Sequence, residues 1–365
     1  MKPMKIFNYK IIIDYKTDSF SSINFRPFLA GFVVVFVMTI MSYFGFHLPE
    51  YNFAIFSKQT NVNTIDVIKD KLKIDKHEYR LFKERPVVSR SYASSDFDNA
   101  SSYISVNFEN GKIISEKDQD KKLPIASLAK IMAALVALDL AEQSNLFDVS
   151  RRAANQTPTK IGVLEGQKLT LSELLNALLL TSANDAAEVI EEGIDNKYGK
   201  GTFVRAMNMK AEMLGLNNTH FTNPQGFDSK NNYSTASDLA VLSHFAITTY
   251  PLIAGIVKKD YQLLPADKNH NVFDLYNWNG LLGVYPGVTG LKIGNTDNAG
   301  YTTIVAAERE GQKILVVLLG APGVLERDMW TAELLDAGFE KLGVSSANIT
   351  EDQLQKKYNS WKYFN

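Results

Sequence analysis

Residues 123–139, LPIASLAKIMAALVALD, decide which fold and which chemistry this chain is expected to have. The run predicts a long apolar helix over residues 127–140. Ser127 and Lys130 stand at positions i and i+3 of its first turn, so the hydroxyl and the amine face the same side. A lysine desolvated in a cleft has a lowered pKa and acts as a base, and the helix N-terminus suits a developing oxyanion. The stretch predicts a serine activated by a lysine, against the alternative of a serine N-cap beside a solvated lysine.

Two triplets further along the chain carry residues that such chemistry needs. The triplet Ser-Ala-Asn at residues 182–184 follows an apolar helical run, where a hydroxyl and an amide can relay a proton and orient a substrate amide. The triplet Lys-Ile-Gly at residues 292–294 lies on a predicted strand, where a lysine and a glycine can line a cleft. Each triplet type recurs elsewhere in the chain and is weak alone. Their order, Ser-x-x-Lys, Ser-x-Asn and Lys-x-Gly, indicates one catalytic site.

With these three motifs in this order, the chain resembles the D-alanyl-D-alanine carboxypeptidases, a family of low-molecular-mass penicillin-binding proteins that act as serine–lysine acyl transferases. The resemblance covers residues 97–342 and extends beyond the triplets to the blocks at residues 171–190, 221–242 and 290–310. It implies an α+β fold of the β-lactamase/transpeptidase type, with a five-stranded antiparallel sheet flanked by helices and a mainly helical lobe.

The resemblance also implies the chemistry and its partners. The expected activity is that of a serine-type D-Ala-D-Ala carboxypeptidase, which trims peptidoglycan stem peptides and is inhibited covalently by β-lactam antibiotics. Ser127 would be the acylated nucleophile, Lys130 its general base, and Ser182 the group that passes the proton to the leaving amine. The family needs no cofactor and no metal.

The same resemblance assigns the residues that hold the substrate. Asn184 would hold the acyl side chain or amide, and Lys292 would supply positive charge to the substrate carboxylate. The backbone N–H groups of Ser127 and Asn295 would form the oxyanion hole, the latter directly after Gly294 on the strand.

Ile293 departs from the family pattern, in which the third motif is normally Lys-Thr-Gly. The lost hydroxyl removes one hydrogen-bond donor to the terminal carboxylate of the substrate, worth about 1.5–3 kcal/mol with a charged partner. Thr296 is near in sequence, but strand alternation places 293 and 296 on opposite faces. Two alternatives therefore stay open: a catalytically weakened homologue that binds the cell wall, and a D,D-endopeptidase that uses the same site.

The surrounding sequence predicts one sheet built from both ends of the domain, with helices between. Alternating residues 103–108 and 112–115 around Asn110-Gly111 predict a hairpin with a primed two-residue turn. Short strands are predicted within residues 290–319, and Thr170 with Glu173 has capping-box spacing. Helices are predicted at residues 185–192, 202–214, 237–248 and 329–342.

The N-terminal region predicts a membrane anchor. Residues 28–48, FLAGFVVVFVMTIMSYFGFHL, contain no Asp, Glu, Lys or Arg, and a helix of that length spans about 31 Å, close to the thickness of a bilayer core. Residues 1–27 carry five basic and two acidic side chains, which favours a cytoplasmic tail. We expect a single-pass protein of the cytoplasmic membrane with its catalytic domain outside, and a cleaved signal peptide is the rival interpretation.

Flanking segments and composition complete the expectations. Residues 49–96 are polar and predict a stalk, and residues 343–365 predict a tail with a disordered end. A formal net charge of −1 gives no electrostatic reason to expect nucleic acid as a partner. The absence of cysteine excludes disulfides and thiolate metal sites, and the five histidines show no helical metal-ligand spacing.

Overall fold

The computed structural model describes residues 64–72 and 96–361. The predicted cytoplasmic tail and the anchor at residues 28–48 lie outside the described residues, as does most of the predicted stalk. The strands, in chain order, are β1 (Ser102–Asn107), β2 (Ile113–Lys117), β3 (Leu146–Asp148), β4 (Lys168–Thr170), β5 (Tyr261–Leu264), β6 (Phe273–Tyr276), β7 (Val288–Thr296), β8 (Gly300–Arg309) and β9 (Gln312–Ala321).

Most of the helices lie between β2 and β7 in the chain. They are α1 (Thr64–Lys71), α2 (Ala129–Leu140), α3 (Arg151–Ala154), α4 (Leu171–Asn176), α5 (Asn184–Tyr198), α6 (Thr202–Met213), α7 (Ala236–Thr249), α8 (Pro251–Val257), α9 (Val324–Lys341) and α10 (Glu351–Asn359). A 3₁₀ turn at Ala126–Leu128 leads into α2, and a π-helical segment at Ala177–Thr181 continues α4. Where the chain is described, no single helix is long and apolar enough to cross a bilayer. Helices α7 and α8, which are bent by 105° relative to each other, are together long and apolar enough, by length and composition alone.

The central sheet has five antiparallel strands in the order β2-β1-β9-β8-β7. This confirms the predicted sheet, in which an early hairpin joins three late strands. Alternate residues of β9 enter two different cores: Leu315, Val317 and Leu319 face the layer formed with helices α1 to α8, and Val316 and Leu318 face the layer formed with α9 and α10. The sheet is therefore covered on both faces. Because successive side chains of a strand point to opposite faces, β9 contributes residues to both cores.

Helix α2 lies in the middle of the larger core, and every residue from Ala129 to Ala137 is buried. A helix that is apolar all round is stable only inside a core. The predicted capping box is present, since Thr170 accepts from the backbone N–H of Glu173 and the Glu173 carboxylate accepts from that of Thr170. These two elements confirm the helices predicted after Ser127 and after Thr170.

The hairpin of β1 and β2 is confirmed, but its predicted two-residue turn is wrong. Residues 108–112 form a longer loop, in which the Asn107 side-chain oxygen accepts from the backbone N–H groups of Glu109 and Asn110. The side chain of Asn107 thus accepts hydrogen bonds from two backbone N–H groups of the loop, which stabilises a connection longer than two residues. Gly111 adopts a left-handed φ of 67° within this loop.

Two terminal segments differ from their predictions because their apolar residues reach the cores. Helix α1 belongs to the predicted stalk, yet Ile68 and Leu72 are buried one turn apart in the larger core. The predicted tail is wrong for residues 343–361, since α10 buries Leu354 and Tyr358, and Trp361 packs edge-on against Trp278. Both segments have an apolar stripe of helical spacing that finds a partner surface.

Candidate active site

Ser127 and Lys130 meet at the start of α2, as their spacing predicts. The 3₁₀ turn holds Ser127, and Lys130 lies one turn on, with its Nζ 2.8 Å from Ser127 Oγ. Ala126, directly before the serine, has a left-handed φ of 50°, a backbone conformation that is costly for a residue with a Cβ. Strain of this kind persists only where the surroundings enforce it, and it often marks a functional position.

The amine of Lys130 has three polar neighbours, which together define how a neutral amine is oriented. Its Nζ lies 2.8 Å from Asn184 Oδ1 and 2.7 Å from the main-chain oxygen of Gln225, in addition to Ser127 Oγ. The two oxygens of Asn184 and Gln225 can only accept, so they take both N–H groups of a neutral amine. The remaining lone pair then faces the hydroxyl of Ser127, which is the arrangement that a general base requires.

The surroundings of Lys130 favour that neutral form. The side chain is fully buried, and burial, followed by the positive charge of Lys292, lowers the pKa of Lys130 well below its usual value. The carboxylate of Asp185 opposes this shift. A lowered lysine pKa means that the proton is lost at lower pH, so the base is available closer to neutrality.

Ser182 and Asn184 are presented by an irregular connection between α4 and α5. The π-helical segment ends at Ser182, whose φ of 62° is left-handed, and α5 begins at Asn184. The amide of Asn184 is fixed in orientation, because its Nδ2 donates to the main-chain oxygen of Thr157 while its Oδ1 faces Lys130. The unusual backbone aims both side chains into one cavity instead of along a continuous helix.

Strand β7 supplies the opposite wall. Lys292 is 2% exposed, and its Nζ donates to the main-chain oxygen of Ile293 at 2.8 Å. Burial, followed by the nearby charge of Arg327, lowers the pKa of Lys292 to about 7. Ile293 is 8% exposed and lines the cavity, so this departure from the family pattern lies at the site itself.

Gly294 allows β7 to approach Ser127. A Cβ at this position would lie 2.7 Å from the backbone nitrogen of Ser127 and 3.1 Å from the Cβ of Ala126. Only a residue without a side chain fits there. Ser127 and Asn295, whose N–H groups are predicted to form the oxyanion hole, line the same cavity.

The cavity between these walls has a volume of about 340 Å³. It is lined by Ser127, Ser182, Asn184, Ile293, Gly294 and Asn295 of the predicted site, whereas Lys130 and Lys292 lie buried behind its surface. Its size and its mixture of polar and aromatic walls are typical of a pocket for a small ligand or a peptide end.

Several lining residues were not predicted. Arg327 on α9 is buried, forms a bidentate ion pair with Asp328, and borders the cavity as a second cation beside Lys292. Trp278 and Phe227 supply apolar wall. No pattern in the sequence identifies Arg327, because only the docking of α9 on the sheet brings it to the site.

Thr296 lines the same cavity as Ile293, so the expectation that strand alternation separates them is wrong, but its hydroxyl is already hydrogen-bonded. Its Oγ1 donates to a carboxylate oxygen of Asp228 at 2.7 Å and accepts from the backbone N–H of Ala299. The other Asp228 oxygen accepts from the backbone N–H of Asn298. Thr296 therefore ties the end of β7 to the loop that carries Asp228.

Comparison with known proteins identifies relatives that match about two thirds of this chain. The model of a family described as D-alanyl-D-alanine carboxypeptidase matches residues 90–323. D-alanyl-D-alanine carboxypeptidase DacF of Bacillus subtilis is 31% identical over 249 residues, which is 66% of this chain and 62% of DacF, so the chain matches less than two thirds of that relative. D-alanyl-D-alanine carboxypeptidase DacB2 of Mycobacterium tuberculosis is 32% identical over 66% of this chain and 82% of DacB2.

A solved structure shares both sequence and architecture. Penicillin-binding protein D2 from Listeria monocytogenes, determined in its ampicillin-bound form, superposes with a TM-score of 0.56 at 32% identity. The superposition covers 66% of this chain and 97% of the Listeria chain. The matched part therefore corresponds to nearly all of that structure.

Proposed function

Because the chain belongs to the D-alanyl-D-alanine carboxypeptidase family, we propose that it is a serine-type D-Ala-D-Ala carboxypeptidase acting on peptidoglycan stem peptides. The observation that carries this proposal is the contact between Ser127 and the buried amine of Lys130. In the neutral form of that amine, two acceptors bind its N–H groups and its lone pair is left for the serine proton.

The proposed reaction has two halves. Ser127 Oγ attacks the carbonyl carbon of the D-Ala–D-Ala peptide bond while its proton passes to Lys130, and the resulting oxyanion accepts hydrogen bonds from the N–H groups of Ser127 and Asn295. The carbon–nitrogen bond then breaks, and the leaving amine takes a proton through Ser182. Water next attacks the ester, releases the shortened peptide and restores Ser127.

Two cations support a substrate that ends in a carboxylate. Arg327 lines the cavity and Lys292 lies buried near it, and such groups stabilise an anion more strongly in a partly dry site than in water. Asn184 would hold the peptide amide of the acyl portion. In the same frame, β-lactam antibiotics would acylate Ser127 and act as covalent inhibitors.

The proposal is tested by treating the full-length protein with a fluorescent penicillin and mapping the adduct by mass spectrometry. A covalent adduct on Ser127 and release of D-alanine from a pentapeptide are the expected results. Failure to label Ser127 in folded protein would exclude the acyl-enzyme and favour a weakened homologue that binds the cell wall.

A D,D-endopeptidase is the second candidate, and Ile293 is the observation that favours it. An apolar residue at the cavity wall supplies no hydrogen bond to a free carboxylate, and a crosslink formed through a lysine side-chain amine has no carboxylate next to the scissile bond. Crosslinked and uncrosslinked peptides with the same acyl portion distinguish the two. Faster cleavage of the crosslink would assign the endopeptidase.

Ile293→Thr is expected to speed the release of D-alanine by about tenfold to hundredfold, if one charge-assisted hydrogen bond worth about 1.4–2.7 kcal/mol is regained. The side chain faces the cavity and is 8% exposed, so a hydroxyl there can reach the substrate. D-Alanine release at saturating and limiting peptide measures the effect. Unchanged release by a well-folded variant would mean that Ile293 only packs, and would favour a substrate without a free carboxylate.

The KM for a peptide with a free carboxylate is expected to rise as the pH passes upward through about 7. Lys292 has its pKa lowered to about 7, so it is charged below that pH and neutral above it. The same peptide with an amidated C-terminus should show a flatter profile. KM measured between about pH 6 and pH 9 tests this, and parallel profiles for both peptides would contradict a role for Lys292 in carboxylate binding.

We further propose that residues 28–48 anchor the protein in the cytoplasmic membrane, with the catalytic domain on the extracytoplasmic side. The support is the uncharged stretch of 21 residues and the basic flank before it. Extraction by detergent but not by alkali is the expected behaviour. A mature form that lacks residues 1–48 would identify a cleaved signal peptide instead.

A further inference from the structure

Glu188 is a buried carboxylate that lies behind the catalytic lysine and outside the lining of the cavity. Glu188 is 5% exposed. One of its carboxylate oxygens accepts hydrogen bonds from the side-chain amides of Gln156, at 3.0 Å, and of Gln225, at 2.8 Å. The other oxygen pairs with Arg152. A carboxylate held this far from water requires such partners, so the position of Glu188 and that of Gln225 are coupled.

Gln225 connects this carboxylate to the base. Its side chain donates to Glu188, and its main-chain oxygen accepts from Lys130 Nζ at 2.7 Å. The peptide unit that carries this carbonyl is also held from its N–H side: the backbone N–H of Gly226 donates to the side-chain oxygen of Asn223 at 2.8 Å, and a Cβ at Gly226 would lie 2.0 Å from the main-chain oxygen of Ala126. Glu188 is thus the group that fixes the side chain of Gln225 itself.

One face of α5 then controls both acceptors of the amine. Asn184 and Glu188 are one helical turn apart and project on the same side. Asn184 accepts one N–H of Lys130 directly, and Glu188 acts on the acceptor of the other through Gln225. The direction of the Lys130 lone pair depends on both oxygens being in place.

We propose that Glu188 is a positioning residue for acyl transfer: Glu188 holds the side chain of Gln225 while Asn223 holds its peptide N–H side, and together they keep the Gln225 carbonyl on the amine of Lys130 and the lone pair aimed at Ser127. This inference rests on the proposed acyl-enzyme function. Without an acceptor at position 188, the buried Gln225 amide must turn to find one. The amine can then rotate an N–H towards Ser127 Oγ and stop acting as its base.

The role is one of geometry and not of charge, which determines the choice of variants. Glu188→Gln keeps an oxygen that can accept from Gln225 and Gln156, whereas Glu188→Leu removes every acceptor at similar volume. Glu192→Leu is the matched control, because Glu192 lies one turn further along α5 and also pairs with Arg152, at 2.8 Å. That control loses one ion pair of Arg152 but keeps the hydrogen bond between Gln225 and Glu188.

The experiment measures the rate constant of acylation by fluorescent penicillin across pH in the full-length protein, together with the fraction of protein that can be labelled. Glu188→Leu is expected to acylate at least about tenfold more slowly with its labelled fraction intact. Glu188→Gln should stay within about twofold of the unmodified protein, with the same pH midpoint. Glu192→Leu should be unaffected in rate.

The outcomes separate this inference from the proposed function. A lower labelled fraction at unchanged rate would show that Glu188 only stabilises the fold, and a shifted pH midpoint in Glu188→Gln would show that it acts through charge. Equal slowing in Glu192→Leu would assign the effect to Arg152. Each of these overturns the positioning role while Ser127 is still labelled. No adduct on Ser127 in the unmodified protein would overturn the proposed function and this inference with it.

Discussion

Replacing Lys130 with alanine is expected to slow acylation of Ser127 by at least about thousandfold, equivalent to about 4 kcal/mol of transition-state stabilisation. The amine is 2.8 Å from the serine oxygen and is the only side-chain nitrogen within hydrogen-bond distance of it in the part of the chain that the structure describes. Stopped-flow labelling with a fluorescent penicillin measures the rate constant. The double replacement Ser127→Ala with Lys130→Ala should be no worse than Ser127→Ala alone, since nucleophile and base act as a unit.

The matched control for this variant is Lys200→Ala. Lys200 is exposed on the turn between α5 and α6 and has no contact with the cavity. Circular dichroism and the unfolding midpoint check that Lys130→Ala remains folded, because the substitution empties buried volume. A folded Lys130→Ala protein that acylates at a near-normal rate would show that another group removes the serine proton.

Gly294→Ala is expected to reduce acylation by about hundredfold, because a displacement of about 1 Å in a reacting geometry has effects of that order. The added Cβ would meet the backbone nitrogen of Ser127 at 2.7 Å and the Cβ of Ala126 at 3.1 Å, so β7 must move away from α2. That movement separates Asn295 from Ser127 and opens the predicted oxyanion hole. The substitution alters no group that takes part in proton transfer.

Gly255→Ala in α8 is the control for the added methyl group. A Cβ at position 255 meets nothing within 4 Å, and the residue lies within a helix, where alanine is favoured over glycine. Acylation by this variant should be unchanged. If Gly294→Ala labelled as fast as Gly255→Ala, close approach of β7 to Ser127 would not be required for catalysis.

The part of the site that follows from local spacing was predictable from the sequence. Ser127 and Lys130 meet because three residues on a helix bring side chains to one face, and this holds whatever surrounds the helix. A sheet built from both ends of the domain followed in the same way from short alternating segments, whereas its five antiparallel strands were implied by the family resemblance. The positions of Ser182, Asn184 and Lys292 around one cavity required the family resemblance, because each triplet alone is common.

The part that depends on tertiary packing was not predictable. Arg327 and Gln225 reach the site only when α9 and the loop before α7 dock, and no periodic pattern marks either residue. The Gln225 contribution is moreover a main-chain oxygen, which every residue type possesses. The left-handed backbone at Ser182 is likewise imposed by its surroundings.

The sequence of the C-terminal helix contains a helix signal that the prediction of a disordered tail did not use. Thr350 and Gln353 form a capping box at the start of α10, and Leu354 with Tyr358 follows at helical spacing. The prediction of a tail with a disordered end rested on the general tendency of chain termini instead. Burial of three residues, including Trp361, against the smaller core is sufficient to order it.

The pairing of β1 with β9 has a consequence for how the protein folds. Ser102 lies opposite Leu319, and roughly 200 residues separate them, so the sheet is completed by contacts of very high sequence separation. The entropy of closing so long a loop must be overcome before those contacts form, which makes folding slow. A nascent chain that has reached only the end of α8 contains Ser127 and Lys130 but has neither the β7 wall nor the strand that joins β1 to β8. Ser127 and Lys130 therefore lack the β7 side of the cavity until the last part of the domain arrives, so the proposed active site is assembled only in the finished molecule.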